Sequence, residues 1–158
     1  KQKTAYEIST RDWSSDVCSS DLSITFDIYG PIEEELYWKE CESIIQNIPL
    51  HVKVNYKGIL KNSEVIDAMT NYHLSVLLTF NENYGHSIVE SMAAGCPVLI
   101  SDQTIWKQLQ EKKAGWDLPL VQEEKIINAI TEACSWNQEE FNQYSHGALT
   151  FEIGRAHV

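Results

Sequence analysis

The chain has 158 residues, an apolar fraction of 43% and a formal charge of -11. That length suits one domain, and the acidic balance argues against a nucleic-acid partner. No apolar run approaches the roughly 18 residues a membrane span needs, and no signal peptide is visible. Four cysteines at irregular spacing form neither a CxxC pair nor a disulfide ladder. Their pattern points to a reducing, cytoplasmic setting.

The two ends read as foreign to the rest. Asp16 to Leu22 is DVCSSDL and Glu152 to Val158 is EIGRAHV. The first can be encoded by GAC GTG TGC TCT TCC GAT CT. The reverse complement of that DNA, with one G in front, translates to the second. One short DNA read in both directions therefore accounts for both ends, and it resembles a short-read sequencing-library adapter. Segments 1–22 and 152–158 are accordingly expected to be adapter-derived, the first of them disordered. Residues 23–151 are then the biological domain, with 8 basic and 18 acidic residues and a charge of -10.

Ser23 to Tyr29 alternates and is β-rich, which predicts a strand ended by Gly30-Pro31. Tyr37, Cys41, Ile44, Ile45 and Ile48 make a helical stripe over Glu33 to Ile48. The acids Glu33 to Glu35 suit the positive end of that helix's dipole. His51 to Lys57 alternates again and reads as a strand closed by Gly58. Asn62 or Ser63 caps a helix carrying Val65, Ala68, Met69 and Tyr72. Leu74 to Leu78 is nearly all apolar, as in a strand buried on both faces.

Thr104 to Lys112 is expected to be a short helix, and Ala114-Gly115-Trp116 a turn. Glu123 to Trp136 is a clear helix, with Ile126, Ile127, Ile130, Ala133 and Cys134 inward. A weaker helix over Asn137 to Ala148 closes the chain. Strands alternate with helices throughout. The expected fold is therefore α/β, a Rossmann-like parallel sheet with helices on both faces.

The chemistry gathers in one stretch, Leu77 to Asp102. An apolar strand leads into a polar loop, Asn81 to Gly85. A small-residue helix follows over His86 to Ala94, then Gly95-Cys96-Pro97 and the strand Val98 to Ser101. In an open α/β sheet, ligands bind beyond the carboxyl ends of the strands, which is where this loop falls. Gly85 lets the backbone approach a ligand. The amides of His86 to Ile88 open a helix and can receive an anion such as a diphosphate. Glu82 and Glu90 could accept hydrogen bonds from sugar hydroxyls. Together these parts read as an anion seat with two hydroxyl clamps.

TFNENYGHSIVESMAAGCPVLIS resembles the donor-binding motif of the retaining glycosyltransferases of family 4, also called group 1. That motif has a Glu, seven residues and a second Glu, then a small-residue helix and Gly-x-Pro-Val. Here these are Glu82, Glu90, Gly95, Pro97 and Val98. The resemblance runs from the Ile28-Tyr29-Gly30-Pro31 strand end to the Gly115 region. It implies part of the C-terminal, donor-binding half of a GT-B enzyme, with Glu90 on the ribose hydroxyls and Glu82 on the transferred sugar as the catalytic-site acid. Asn83, Tyr84, Gly85, His86 and Ser87 would line the donor.

The resemblance further implies a nucleotide-diphosphate sugar as substrate and no tightly bound metal or other cofactor. It also implies polysaccharide or cell-surface glycan synthesis and a cytoplasmic setting, with any membrane attachment through an N-terminal acceptor-binding half. The family's diphosphate-gripping Arg and Lys have no counterpart here, since no Arg lies between Ser23 and Phe151. The chain is thus expected to be a fragment, inactive by itself.

Two other classes are weighed. A sugar-nucleotide epimerase would need further acids and histidines in the cleft. A non-enzymatic α/β nucleotide-binding module of the receiver type would show paired acids after its first strand and an Asp after its third, which Gly30-Pro31 and Thr79-Phe80-Asn81 do not supply. The plainer readings of single residues are a solvated loop acid for Glu82 and a surface acid for Glu90. His51 and His73 read as structural, and Cys96 and Cys134 as small buried apolar groups. Trp106 and Trp116 read as packing residues, with Trp106 beside the nucleotide base as the alternative. The adapter reading makes a direct prediction. Backbone amides of Lys1 to Leu22 exchange with solvent at near-random-coil rates, as amide-exchange NMR would record; slow exchange throughout the segment would refute it.

Overall fold

The fold is taken from a computed structural model that describes residues 23–155, with side chains as far as Phe151. The expectation for segment 1–22 lies outside the described residues, as do residues 156–158. The described chain forms two compact units, 23–61 and 62–155. Both combine parallel strands with helices, the expected α/β architecture. No helix among the described residues is long and apolar enough to cross a membrane.

The first unit is one βαβ turn. Strand β1 (Ile24–Tyr29) pairs in parallel with β2 (Val52–Gly58), and helix α1 (Glu35–Ile45) connects them. The register runs from Ile24 opposite Val52 to Ile28 opposite Tyr56, then shifts so that Tyr29 meets Gly58. Trp38 of α1 packs on Tyr56 of β2, ring centroids 4.8 Å apart. The Tyr56 hydroxyl donates to the Gly30 carbonyl at 2.7 Å. Asp27 accepts from the Asn55 amide at 2.6 Å and lies 3.7 Å from the Lys57 ammonium. No residue of α1 is fully buried. This layer is thin.

The second unit holds the core. Helix α2 (Asn62–Met69) precedes β3 (Ser75–Leu77), α3 (His86–Ala93), β4 (Val98–Ser101) and β5 (Gly115–Leu118), and α4 (Glu123–Ser135) and α5 (Gln138–Arg155) close it. The sheet order is β3-β4-β5, all parallel. Every residue of β4 is buried. Its side chains alternate between two cores, as a period of two demands. Val98 and Ile100 pack with Ile88 and Met92 of α3, Ala148 of α5, Trp106 and Leu109. Leu99 packs on the other face with Trp116 and with Ala129, Ile126 and Ile130 of α4. Each fully buried aliphatic side chain is worth about 2 kcal/mol over an exposed one.

Four expectations need correcting. Leu74 to Leu78 is only half-buried, because β3 lies at the margin of its three-stranded sheet and β4 takes the centre. Residues 104–112 are turns, not a helix. Side chains there capture the amides a helix would need. The Trp106 amide donates to the Thr104 hydroxyl at 3.2 Å, and the Gln108 and Leu109 amides donate to the Asp117 carboxylate at 3.3 and 3.0 Å. Gly115 and Trp116 begin strand β5 and do not form a turn. The last helix also runs past Ala148 to Arg155.

Two glycines permit the packing. At Gly115, with φ +135°, an added Cβ would lie 1.8 Å from the Val98 carbonyl oxygen. At Gly147, on α5, it would lie 2.2 Å from the Lys113 carbonyl oxygen. Both obstacles are backbone atoms that cannot swing aside. Gly115→Ala must therefore push β5 off β4 as well as hold a strained backbone. It is expected to cost more than about 3 kcal/mol, read as a lowered urea midpoint or as failure to fold.

Candidate functional site

The central loop leaves the carboxyl end of β3 and is tied there to β4. The Ser101 hydroxyl donates to the Thr79 carbonyl at 2.5 Å. The Thr79 hydroxyl itself is buried without a hydrogen-bond partner among the described residues. Beyond it, Glu82 is half-buried, and its Oε1 accepts the Gly85 amide at 3.2 Å. Gly85 is left-handed, at φ 74° and ψ 61°. A Cβ on it would lie 2.7 Å from Ile88 Cδ1 and 3.3 Å from Glu82 Cγ. The position demands glycine on both counts.

Helix α3 starts at the next residue. The Ile88 and Val89 amides donate to the Gly85 carbonyl at 2.9 and 3.1 Å. The His86 and Ser87 amides lie in the first turn, where the helix offers no carbonyl to receive them. The positive end of the helix dipole also lies here. Ile88, Ser91 and Met92 are the residues α3 buries. His86 and Glu90, four apart, share another face of the helix. His86 and Ser87 are exposed and Glu90 is half-buried. The Ser91 hydroxyl donates to the Ser87 carbonyl at 2.7 Å and lies 3.0 Å from the Ser75 hydroxyl, which fixes α3 against β3.

Glu82, Tyr84, Gly85 and His86 thus come together in one turn. Asn83 is exposed on that turn, and Ser87 and Glu90 follow within α3. The Tyr84 ring is 48% exposed and lies 5.1 Å from the His86 ring and 5.8 Å from the Trp106 ring, centroid to centroid. Trp106 packs in the core, as its packing reading expects, and its hydrogen bond to the loop is what the sequence does not show. It is 3% exposed, so its ring offers no face to a base. Its indole N–H donates to the Tyr84 carbonyl at 2.7 Å. Nothing in the local sequence distinguishes a tryptophan that holds a loop from one that fills a core. Two lysines near these turns are engaged elsewhere, since Lys107 donates to the Asp102 carbonyl and Lys113 to the Gln143 side chain. Among the described residues, no three His, Cys, Asp or Glu side chains are grouped to hold a metal ion.

A family model described as "Glycosyl transferases group 1" matches residues 15–146. A chain of the solved structure described as "Crystal structure of GtfA/B complex" superposes with a TM-score of 0.58 at 22% identity. The overlap covers 84% of this chain and 28% of that one, so the present chain spans little more than a quarter of its length. At that identity the likeness bears on the fold. No curated protein sequence matches.

Among the described residues, the one fully buried thiol is not a nucleophile. Cys96 lies between α3 and β4, and burial pushes its pKa from 9.0 up to about 12. The thiolate is the reactive form, so Cys96 stays inert at neutral pH. The same shift is a stability term. Because the folded pKa is the higher one, the contribution is complete below pH 9 and is lost as pH rises toward 12. Ellman's reagent at pH 8 is expected to leave Cys96 untouched in the folded chain and to react with it in urea, which a Cys96→Ala difference experiment would count.

Proposed function

The chain belongs to the group 1 glycosyl transferases, and from that premise we propose that the loop from Asn81 to Ser87 holds a nucleotide-sugar donor. The observation that carries this reading is the left-handed Gly85 turn between Glu82 and the first turn of α3. It sets a carboxylate and a row of helix amides side by side at the carboxyl end of a parallel strand. Such a place suits a ligand that is anionic at one end and rich in hydroxyls at the other.

In this reading the diphosphate rests on the His86 and Ser87 amides, which supply positive potential without a cationic side chain. Glu90, one turn into α3, accepts from the ribose hydroxyls. Glu82 faces the transferred sugar and would release the Gly85 amide in order to accept sugar hydroxyls. The transfer proceeds with retention, as in the family the motif resembles, and serves glycan assembly. The helix amides stabilise charge on the departing diphosphate as it develops. No arginine lies between residues 23 and 151 to add to them, and we propose that the chain by itself does not transfer sugar at the rate of an intact enzyme.

Saturation-transfer NMR with uridine diphosphate and guanosine diphosphate tests the donor reading. One of the two is expected to bind. Glu90→Ala then removes a charged acceptor of two hydroxyls and weakens that binding about tenfold, or about 1.4 kcal/mol. Binding that ignores Glu90→Ala would place the nucleotide elsewhere and overturn the reading.

A further inference from the structure

We propose that Trp106 is a positioning residue for this site, one that fixes the direction of the Tyr84–Gly85 peptide and so the place of the Glu82 carboxylate. The donor consequence rests on the reading above; the peptide geometry does not. The two polar groups of this single peptide are each held by a side chain. Its carbonyl accepts from the Trp106 indole at 2.7 Å, and its N–H donates to Glu82 Oε1 at 3.2 Å. A peptide is planar, so fixing one end fixes the other.

The clamp matters because the residue that follows the peptide is glycine. Gly85 sits at φ 74°, and a glycine crosses to negative φ at little steric cost. The peptide could therefore rotate about its long axis. Rotation would turn the Tyr84 carbonyl oxygen toward the Glu82 carboxylate and its N–H away. Oxygen would then face oxygen, and Glu82 would have to leave. The indole N–H selects against that state, because it can meet the carbonyl and cannot accept the N–H.

Trp106 is well placed to act as a fixed point. It belongs to the core formed by Ile88, Met92, Val98 and Ile100, and it is 3% exposed. Its own amide is held by the Thr104 hydroxyl at 3.2 Å. Its ring lies 5.8 Å from Tyr84 and 6.3 Å from Phe151. The ring's volume alone could be supplied by other aromatic residues. The directed N–H could not, and a buried indole is expected to find an acceptor for it. The acceptor it finds is the carbonyl next to the hinge of the loop.

The test compares the full chain with its Trp106→Phe variant, which keeps an aromatic ring and loses the donor. Amide exchange is followed at Gly85 and at Val98 to Ile100 of β4. The Gly85 amide is expected to exchange at least tenfold faster, with the β4 amides changed less than twofold. The diphosphate that the wild-type chain binds, uridine or guanosine, is expected to bind about fivefold more weakly. A residue that only fills the core would speed Gly85 and β4 together, and that result overturns the proposal. So does unchanged exchange at Gly85, or faster exchange with undiminished nucleotide binding. If neither nucleotide binds the wild-type chain, the donor reading fails, and the exchange ratio still decides whether Trp106 sets the peptide. If Trp106→Phe does not fold, Glu82→Ala approaches the peptide from its other end. Gly85 must then lose protection while the wild-type Trp106 indole proton exchanges slowly; a fast-exchanging indole proton refutes the clamp.

Discussion

The second unit depends on the burial of one short strand. β4 has four residues, all buried, with a hydrogen-bonded parallel neighbour on each side and a hydrophobic core on each face. Such a strand cannot shift register by one residue without exchanging its two cores, so its position is sharply specified. That position fixes others. Ser101 at its carboxyl end holds Thr79 at the exit of β3, and Val98 at its amino end lets Gly115 approach so closely that no side chain fits. The loop after β3 therefore starts from a fully packed base.

Rigidity passes from that base to the candidate site by two routes. One is α3, whose Ile88 and Met92 enter the core and whose Ser87 carbonyl is tied to Ser91. The other is the turn-rich segment after β4, which Asp117 staples by its carboxylate and which carries Trp106. The two routes meet at Tyr84 and Gly85. A flexible glycine between two fixed supports gives a turn that is tight yet singular. Surfaces that recognise polar ligands need such preorganisation, since a mobile loop would lose ordering entropy on binding.

Long periodic signals were legible in the sequence and local side-chain capture was not. The stripe Ile126, Ile130 and Ala133 gave α4 almost to the residue, and the run from Val98 to Ser101 gave β4. The polar loop Asn81 to Gly85 and the small-residue run after it marked where α3 begins. Residues 104–112 misled because Trp106 and Leu109 are apolar at helical spacing, yet Thr104 and Asp117 take the amides first. β5 was hidden because four residues opening on glycine carry too little alternation to outweigh a turn signal. The hydrogen bond of Trp106 escaped for a deeper reason. Its acceptor lies 22 residues away, and long-range hydrogen bonds leave no periodic trace in sequence.

The charge balance of the site sets how strongly this chain could hold a diphosphate. The stretch 23–151 is acidic, contains no arginine, and directs Lys107 and Lys113 to other acceptors. A diphosphate would therefore depend on the helix dipole, worth about 0.3–2 kcal/mol, and on a few charge-assisted hydrogen bonds of about 1.5–3 kcal/mol each. Against these stands the loss of rigid-body freedom, about 4–15 kcal/mol. The gains and the cost are of similar size, so little net affinity is left. Orientation is what such a site can still provide. Helix amides and two carboxylates are directional donors and acceptors, whereas lysine from elsewhere would add attraction with less constraint on pose. If the proposed donor reading holds, the turn at Gly85 is better suited to choosing how the ligand lies than to holding it tightly. For that role, the direction of one peptide bond matters more than the number of charges.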